Sequence, residues 1–364
     1  MMRKFDALFL CLFLLLGHVI NAQEHTFSWA QHSDGDEFVY STASISDADG
    51  NIYTTGYFQG NVDFDPGPGV VSFSKPSAAH DAFITKFDAA GNFVWAKQIG
   101  GANETLAEAI AVDASGNVYI AGNYRGEVDF DPGTSISNST ALANTDAFVL
   151  KLNPAGEFLW VRTTQGYGNE DARSIKLDAT GQIFLTGYFQ SLTDFDPGTG
   201  VFQIYAGTQG NYTYVLKLDA AGNFGWAKAM GTPSSSTFAY GLALDGEGNV
   251  YTGGTFTGTA DFDPGAGTAT HTSSSYDVYV VKLNTNGEYV WSKSLGGSGG
   301  DWGFDLAIDG SGNVLTTGYF SGTMDFDPGA GEALLTAAGG ISAFVLKLNT
   351  TGDYVWARSV TGGS

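Results

Sequence analysis

Five copies of one pentapeptide carry the acids best spaced for chemistry. Asp-Phe-Asp-Pro-Gly begins at Asp63, Asp129, Asp194, Asp261 and Asp325. In an extended segment, residues two apart point the same way. Asp63 and Asp65 therefore share a side, as do Asp129 and Asp131, Asp194 and Asp196, Asp261 and Asp263, and Asp325 and Asp327. Two carboxylates beside the carbonyls of a Pro-Gly turn suit a hard cation, and Ca²⁺ is the candidate. The same residues suit a turn that needs no ion, because an Asp before Pro accepts nearby backbone N–H groups. The phenylalanine between the acids falls on the opposite side, available for the core.

A second acidic pattern, Asp-x-x-Gly-Asn/Gln, starts at Asp47, Asp113, Asp178, Asp245 and Asp309. It resembles part of a calcium loop, but a helix–loop–helix calcium site needs a Glu at its twelfth position. The twelfth residue from Asp47 is Phe58. The pattern reads instead as a tight hairpin, with Gly-Asn supplying positive φ. The residues after a repeated glycine are Tyr57, Asn123, Tyr188, Thr255 and Tyr319, each followed by an aromatic residue. Alternation puts the following ring into packing. The first position varies as an exposed one would, and Tyr57, Tyr188 and Tyr319 are candidate ligand platforms.

Catalytic constellations are not recognisable. His25, His32, His80 and His271 occupy unrelated places in the repeat, and no nucleophile elbow or phosphate loop appears. Glu170, Asp171 and Arg173 depart from the pattern of the neighbouring repeats. They read as a solvated loop that could line one face.

The elements that position these residues follow from the period. The pentapeptide recurs at steps of 66, 65, 67 and 64 residues, and Trp29, Trp95, Trp160, Trp226, Trp291 and Trp356 recur at 65 or 66. Trp302 is the one tryptophan outside this series. Each unit holds four short runs rich in Val, Ile, Tyr, Phe and Thr, separated by glycine turns, which read as strands. Four strands in about 65 residues make a β-propeller blade. From the turn Asp to the first Asp of the pentapeptide is 16 residues in every unit, whereas from that Asp to the Lys of the third strand is 21 to 23. Length changes collect in exposed loops, so the pentapeptide is expected at the mouth of a surface loop.

Stretches such as "AIAVDASGNVYIAGNY" and "DVYVVKLNTNGEYVWSKSLGG" resemble the SBBP-type β-propeller repeat of secreted bacterial proteins. That resemblance implies an all-β propeller and says little about activity. Five repeat units, about 30–95, 96–160, 161–226, 227–291 and 292–356, follow an extra tryptophan strand at 27–31. The expectation is five four-stranded blades, with an open arc of a larger six- or seven-bladed propeller as the alternative.

Residues 1–22 read as a signal peptide: Arg3 and Lys4, an apolar run from Ala7 to Leu16, and a polar exit beginning at Gly17, with the cut expected after Ala22. The repeat domain is then 23–364, secreted or at the cell surface, with the periplasm as an alternative, and not membrane-inserted. Cys11 is the only cysteine and lies in the leader, so no disulfide is available after cleavage. A net charge of −22 with 16 Lys and Arg argues against nucleic acid and anionic membranes as partners. The function expected is a noncatalytic extracellular scaffold or protein-interaction module. A glycan-binding module, with or without Ca²⁺, is the alternative, and a polysaccharide hydrolase or lyase is the third reading.

Overall fold

A computed structural model describes residues 34–35, 38–76 and 78–360 of the chain. The expected leader and the extra tryptophan strand lie outside these residues. The described chain is all-β, in five consecutive four-stranded antiparallel meanders, here called blades. Blade 1 comprises Phe38–Ser46, Ile52–Asp63, Asp81–Phe87 and Phe93–Gly101. Blade 2 comprises Thr105–Val112, Val118–Asp129, Asn138–Leu152 and Phe158–Thr163. Blade 3 comprises Glu170–Leu177, Ile183–Phe189, Tyr212–Leu218 and Phe224–Met230. Blade 4 comprises Ser235–Leu244, Val250–Asp261, Thr270–Leu283 and Tyr289–Gly297. Blade 5 comprises Trp302–Ile308, Val314–Asp325, Leu334–Leu348 and Tyr354–Val360.

The hydrophobic core lies between blades. Tyr53 and Ile84 of blade 1 pack with Ile120 and Leu150 of blade 2. Val149 then packs with Leu185 of blade 3, Val215 with Val281 of blade 4, and Val280 with Leu346 of blade 5. One repeat cannot bury both faces of its own sheet, so stability comes from stacking neighbours. Among the described residues, the recurring tryptophans Trp95, Trp160, Trp226, Trp291 and Trp356 sit on the outermost strands. The indole N–H of Trp95 donates to the carbonyl of Pro154, and that of Trp291 to the carbonyl of Thr350, each in the next blade.

The first turn of every blade is the hairpin expected. In blade 1, Asp47 Oδ1 accepts the N–H groups of Asp49 and Asn51 at 3.0 and 2.9 Å, and Gly50 has φ +83°. One detail differs from expectation. Only the glycine takes positive φ, and Asn51 contributes through its side-chain amide, which donates to Asp47 Oδ2 at 2.7 Å.

The pentapeptide caps a hairpin extension of the second strand. The first Asp of each pairs with a residue nine positions later: Asp63 with Ser72, Asp129 with Asn138, Asp194 with Gln203, Asp261 with Thr270, Asp325 with Leu334. The turn has constant length, so the length variation expected in this loop falls after it, before the core of the third strand. In blades 2 and 5 the extension also clasps the preceding outer strand, where Gly100 pairs with Asp129 and Gly296 with Asp325; in blades 3 and 4 it meets residues just past that strand, Gln165–Gly166 and Gly231. In blade 1 the clasping residues are Asp34 and Gly35, against Asp63 and Val62.

Candidate functional site

The pentapeptide acids serve their own turns. Asp63 Oδ1 accepts the N–H groups of Asp65 and Val71 at 3.1 and 2.8 Å, and Asp65 Oδ1 accepts that of Gly67 at 2.8 Å. The arrangement repeats at Asp129 and Asp131, Asp194 and Asp196, Asp261 and Asp263, and Asp325 and Asp327. Among the described residues no group of three or more His, Cys, Asp or Glu is placed to hold a metal ion. The intervening rings are core: Phe130, Phe195, Phe262 and Phe326 are fully buried, and Phe64 nearly so.

A different set of residues converges on the axis. In each innermost strand one residue drops out of register with the second strand: Thr42, Glu108, Arg173, Tyr240 and Phe304. Each stands five residues before its turn Asp. Such a bulge leaves a residue unpaired and re-aims its side chain. All five line one channel of about 570 Å³, together with residues down to Ile45 and Lys176. The five innermost strands run in one sense, so the bulged ring marks one end of that channel.

The bulge also explains a repeated glycine. It brings the carbonyl of the residue two positions upstream against the second strand. A Cβ at Gly56 would overlap the carbonyl oxygen of Tyr40, and one at Gly187 that of Asp171, with the same clash at Gly122, Gly254 and Gly318. The glycine is fixed by a close backbone approach.

Around this ring the blades differ in chemistry. Arg173 sits between two acids, with Nη2 2.6 Å from Asp171 Oδ2 and Nη1 3.1 Å from Glu108 Oε1. Asn123 Nδ2 donates to Asp171 Oδ1 at 2.9 Å, and Arg173 Nη2 to Tyr188 Oη at 3.3 Å. Burial pushes the Glu108 carboxyl up to about 7, against the pull of Arg173 and with the push of Asp171. Burial likewise raises the Tyr240 hydroxyl, which feels the opposed fields of Arg173 and Asp171.

Aromatic rings flank this ionic group. On blade 1, Phe38 and Tyr40 stack with planes 3° apart, and Tyr57 contacts both and the ring of His80. Across blades 3 to 5 the ring contacts are continuous: Tyr188 to Phe238, Phe238 to Tyr276, Tyr276 to Trp302, Trp302 to Tyr319 and Tyr319 to Phe304. Phe38, Tyr40 and Phe304 are 43%, 52% and 45% exposed.

The structure therefore brings Tyr57, Tyr188 and Tyr319 to the axial mouth, half-buried rather than on an exposed rim. Asn123 and Thr255, at the same repeat position, are buried. Asp171 and Arg173 are not a solvated loop but part of an innermost strand, where each neutralises the other. Their neighbour Glu170 points the other way, into a buried pair with Asp146 between blades, and burial raises its carboxyl well above the usual range. Glu108, Tyr240, Trp302 and Phe304 escape a reading of the repeat. The signal available was five unlike residues at one repeat position, beside positions that repeat without change.

Comparison with known proteins gives the lineage. The profile of a beta-propeller repeat, SBBP, matches residues 94–123, 225–262 and 290–319. The chain is an SBBP-type repeat protein. The matches at 94–123 and 290–319 start on an outer strand and end in the second strand of the next blade, so they enclose Glu108 and Phe304. The chain is also similar to an uncharacterized WD repeat-containing protein of Acanthamoeba polyphaga mimivirus, at 24% identity over 84% of this chain and 27% of the relative. It is similar to the regulatory protein FlaEY of Caulobacter vibrioides, at 24% identity over 78% of this chain and 30% of the relative. The SBBP chain thus spans less than a third of the length of these relatives. Among solved structures, a protein of unknown function from Bacteroides caccae aligns over 85% of this chain and 93% of its own, at 9% identity and a TM-score of 0.37.

Proposed function

We propose that this protein is a noncatalytic extracellular recognition module that takes its ligand at the axial mouth. One observation carries the reading. The five repeats agree at their turns, glycines and tryptophans, yet present Thr42, Glu108, Arg173, Tyr240 and Phe304 to one channel. A bulged residue lies outside the strand ladder, so it can change without disturbing the blade. A ring of such positions allows five repeats to build one asymmetric site.

The relatives support a binding role over an enzymatic one, since their names speak of a WD-repeat protein and a regulatory protein. Glu108 and Asp171 are both engaged by Arg173, an arrangement that positions a guanidinium rather than frees an acid–base pair. The extracellular setting rests on the leader read at the N-terminus.

The test is a binding profile on arrays of extracellular proteins and glycans, using wild type, Arg173→Ala, Trp302→Ala and a rim variant, Asp196→Asn. Signals lost in the two axial variants and kept in the rim variant are expected. Signals lost only in the rim variant would move the site to the pentapeptide loops.

A further inference from the structure

Resting on the axial mouth as the binding site, we infer that its ligand is a neutral saccharide, stacked on the Trp302–Tyr319 rings and hydrogen-bonded by Glu108 and Arg173. The argument is one of matching the groups present. The two rings are half-buried, with the exposed ring of Phe304 against Tyr319, and aromatic surface of this kind suits the C–H faces of a pyranose. The polar groups offer both senses of hydrogen bond: the Arg173 guanidinium donates only, and the Glu108 carboxylate accepts. A sugar hydroxyl does both, so a vicinal pair can bridge the two.

Other classes fit less well. A polyanion meets Glu104, Glu108, Asp171 and Asp305 around Arg173, with Lys176 further down the channel, on a chain of net charge −22. A quaternary ammonium or lysine suits aromatic cages, but here the centre holds a guanidinium, and Asp171 is already engaged by Arg173 and Asn123. A purely apolar ligand would cover the ionic group and leave its remaining polar atoms without partners.

Trp302 supplies a probe, because it is the one tryptophan outside the repeated series. Its ring contacts Tyr276 at 4.8 Å and Tyr319 at 6.1 Å. The experiment titrates the full chain with linear hexaoses of β-1,4-glucose, β-1,4-mannose, β-1,4-xylose, β-1,3-glucose and α-1,4-glucose. Hexagalacturonate and tetramethylammonium are the charged controls. Binding is read by tryptophan fluorescence and by calorimetry, for wild type, Trp302→Ala, Glu108→Gln and Asp196→Asn, each first shown to melt cooperatively.

The expected result is that at least one neutral hexaose binds with a Kd of about 0.1–1 mM. Trp302→Ala should then weaken it about tenfold or more, from loss of a stacked ring. Glu108→Gln should weaken it less, and Asp196→Asn not at all. A hexaose that binds the axial variants as tightly as wild type would overturn both this inference and the axial reading. If only a charged control binds, in a manner sensitive to Trp302, the saccharide fails and the axial reading stands. If none binds, the saccharide is wrong, and the array profile decides the axial reading alone.

Discussion

Replacing Asp301 by Asn should stabilise the protein at pH 8 and remove part of its pH dependence. Asp301 is fully buried where blade 5 meets blade 4. Its Oδ1 accepts the Ser321 N–H at 3.2 Å, and its Oδ2 is without a hydrogen-bond partner. Burial first, then the nearby Asp277 carboxylate, pushes Asp301 up to about 7 from an ordinary value of 3.8. The folded state therefore holds a proton that the unfolded state releases near pH 4. The stability that proton confers is complete below about pH 4, falls as pH rises, and is gone above about pH 7. At about 1.4 kcal/mol per pH unit across that window, the upper bound is about 4 kcal/mol, and relaxation and water entry bring it to about 2–3 kcal/mol. Asn keeps the acceptor for Ser321 and carries no charge near Asp277. Urea melts at pH 4.5, 6 and 8 measure the difference. Wild type should lose about 2–3 kcal/mol relative to the variant between pH 4.5 and 8, and the variant should be the more stable at pH 8. Parallel pH profiles for the two proteins would refute the buried-acid account.

Three further outcomes are expected. Gly187→Ala, which drives a Cβ into the Asp171 carbonyl, should cost about 2–4 kcal/mol in urea melts and disturb the Arg173 group with it; a cost below 1 kcal/mol would mean the bulge relaxes freely. Phe195→Ala removes a ring fully buried against Phe189 and Tyr214 and should cost about 3–5 kcal/mol, whereas a small loss would put the pentapeptide outside the core. The melting temperature should be equal in EDTA and in 1 mM Ca²⁺, because the pentapeptide Oδ1 atoms hold their own backbone N–H groups. A rise lost on changing all five first Asp residues to Asn would assign those turns a cation.

The repeat made the fold legible. Turn Asp, positive-φ glycine and third-strand Lys recur because each blade repeats the same local problem, and the alternation in Asp-Phe-Asp placed the phenylalanine in the core. The axial mouth was not legible, for a geometric reason. Alternation assigns side chains to two faces, and a bulge breaks that count at one residue without any residue type of its own. Its trace in the sequence is the glycine at 56, 122, 187, 254 and 318, and the cause of that glycine is a carbonyl in another strand. Arg173 and Asp171 looked solvated because isolated charges are rarely buried. Their partners, Glu108 and Asn123, come from another blade.

Drift alone would account poorly for the axial ring. Positions outside the ladder that face a channel can accept almost any small or polar residue at little cost, so relaxed constraint predicts a scatter of solvated side chains. The structure instead holds an arginine between two carboxylates, one of them buried, and a line of five ring contacts crossing three blades. Buried ion pairs seldom stabilise a fold more than apolar residues of the same size would, and Phe38, Tyr40 and Phe304 leave apolar surface in water. Neither feature is explained by blade packing, which the repeated positions already satisfy. Both are explained if the ring is shaped for something that docks on it. The pentapeptide turns offer the opposite case: five identical contacts, each closed on itself, at the clasp between blades. The chain thus keeps identity where blades must fit one another and variety where they meet a ligand.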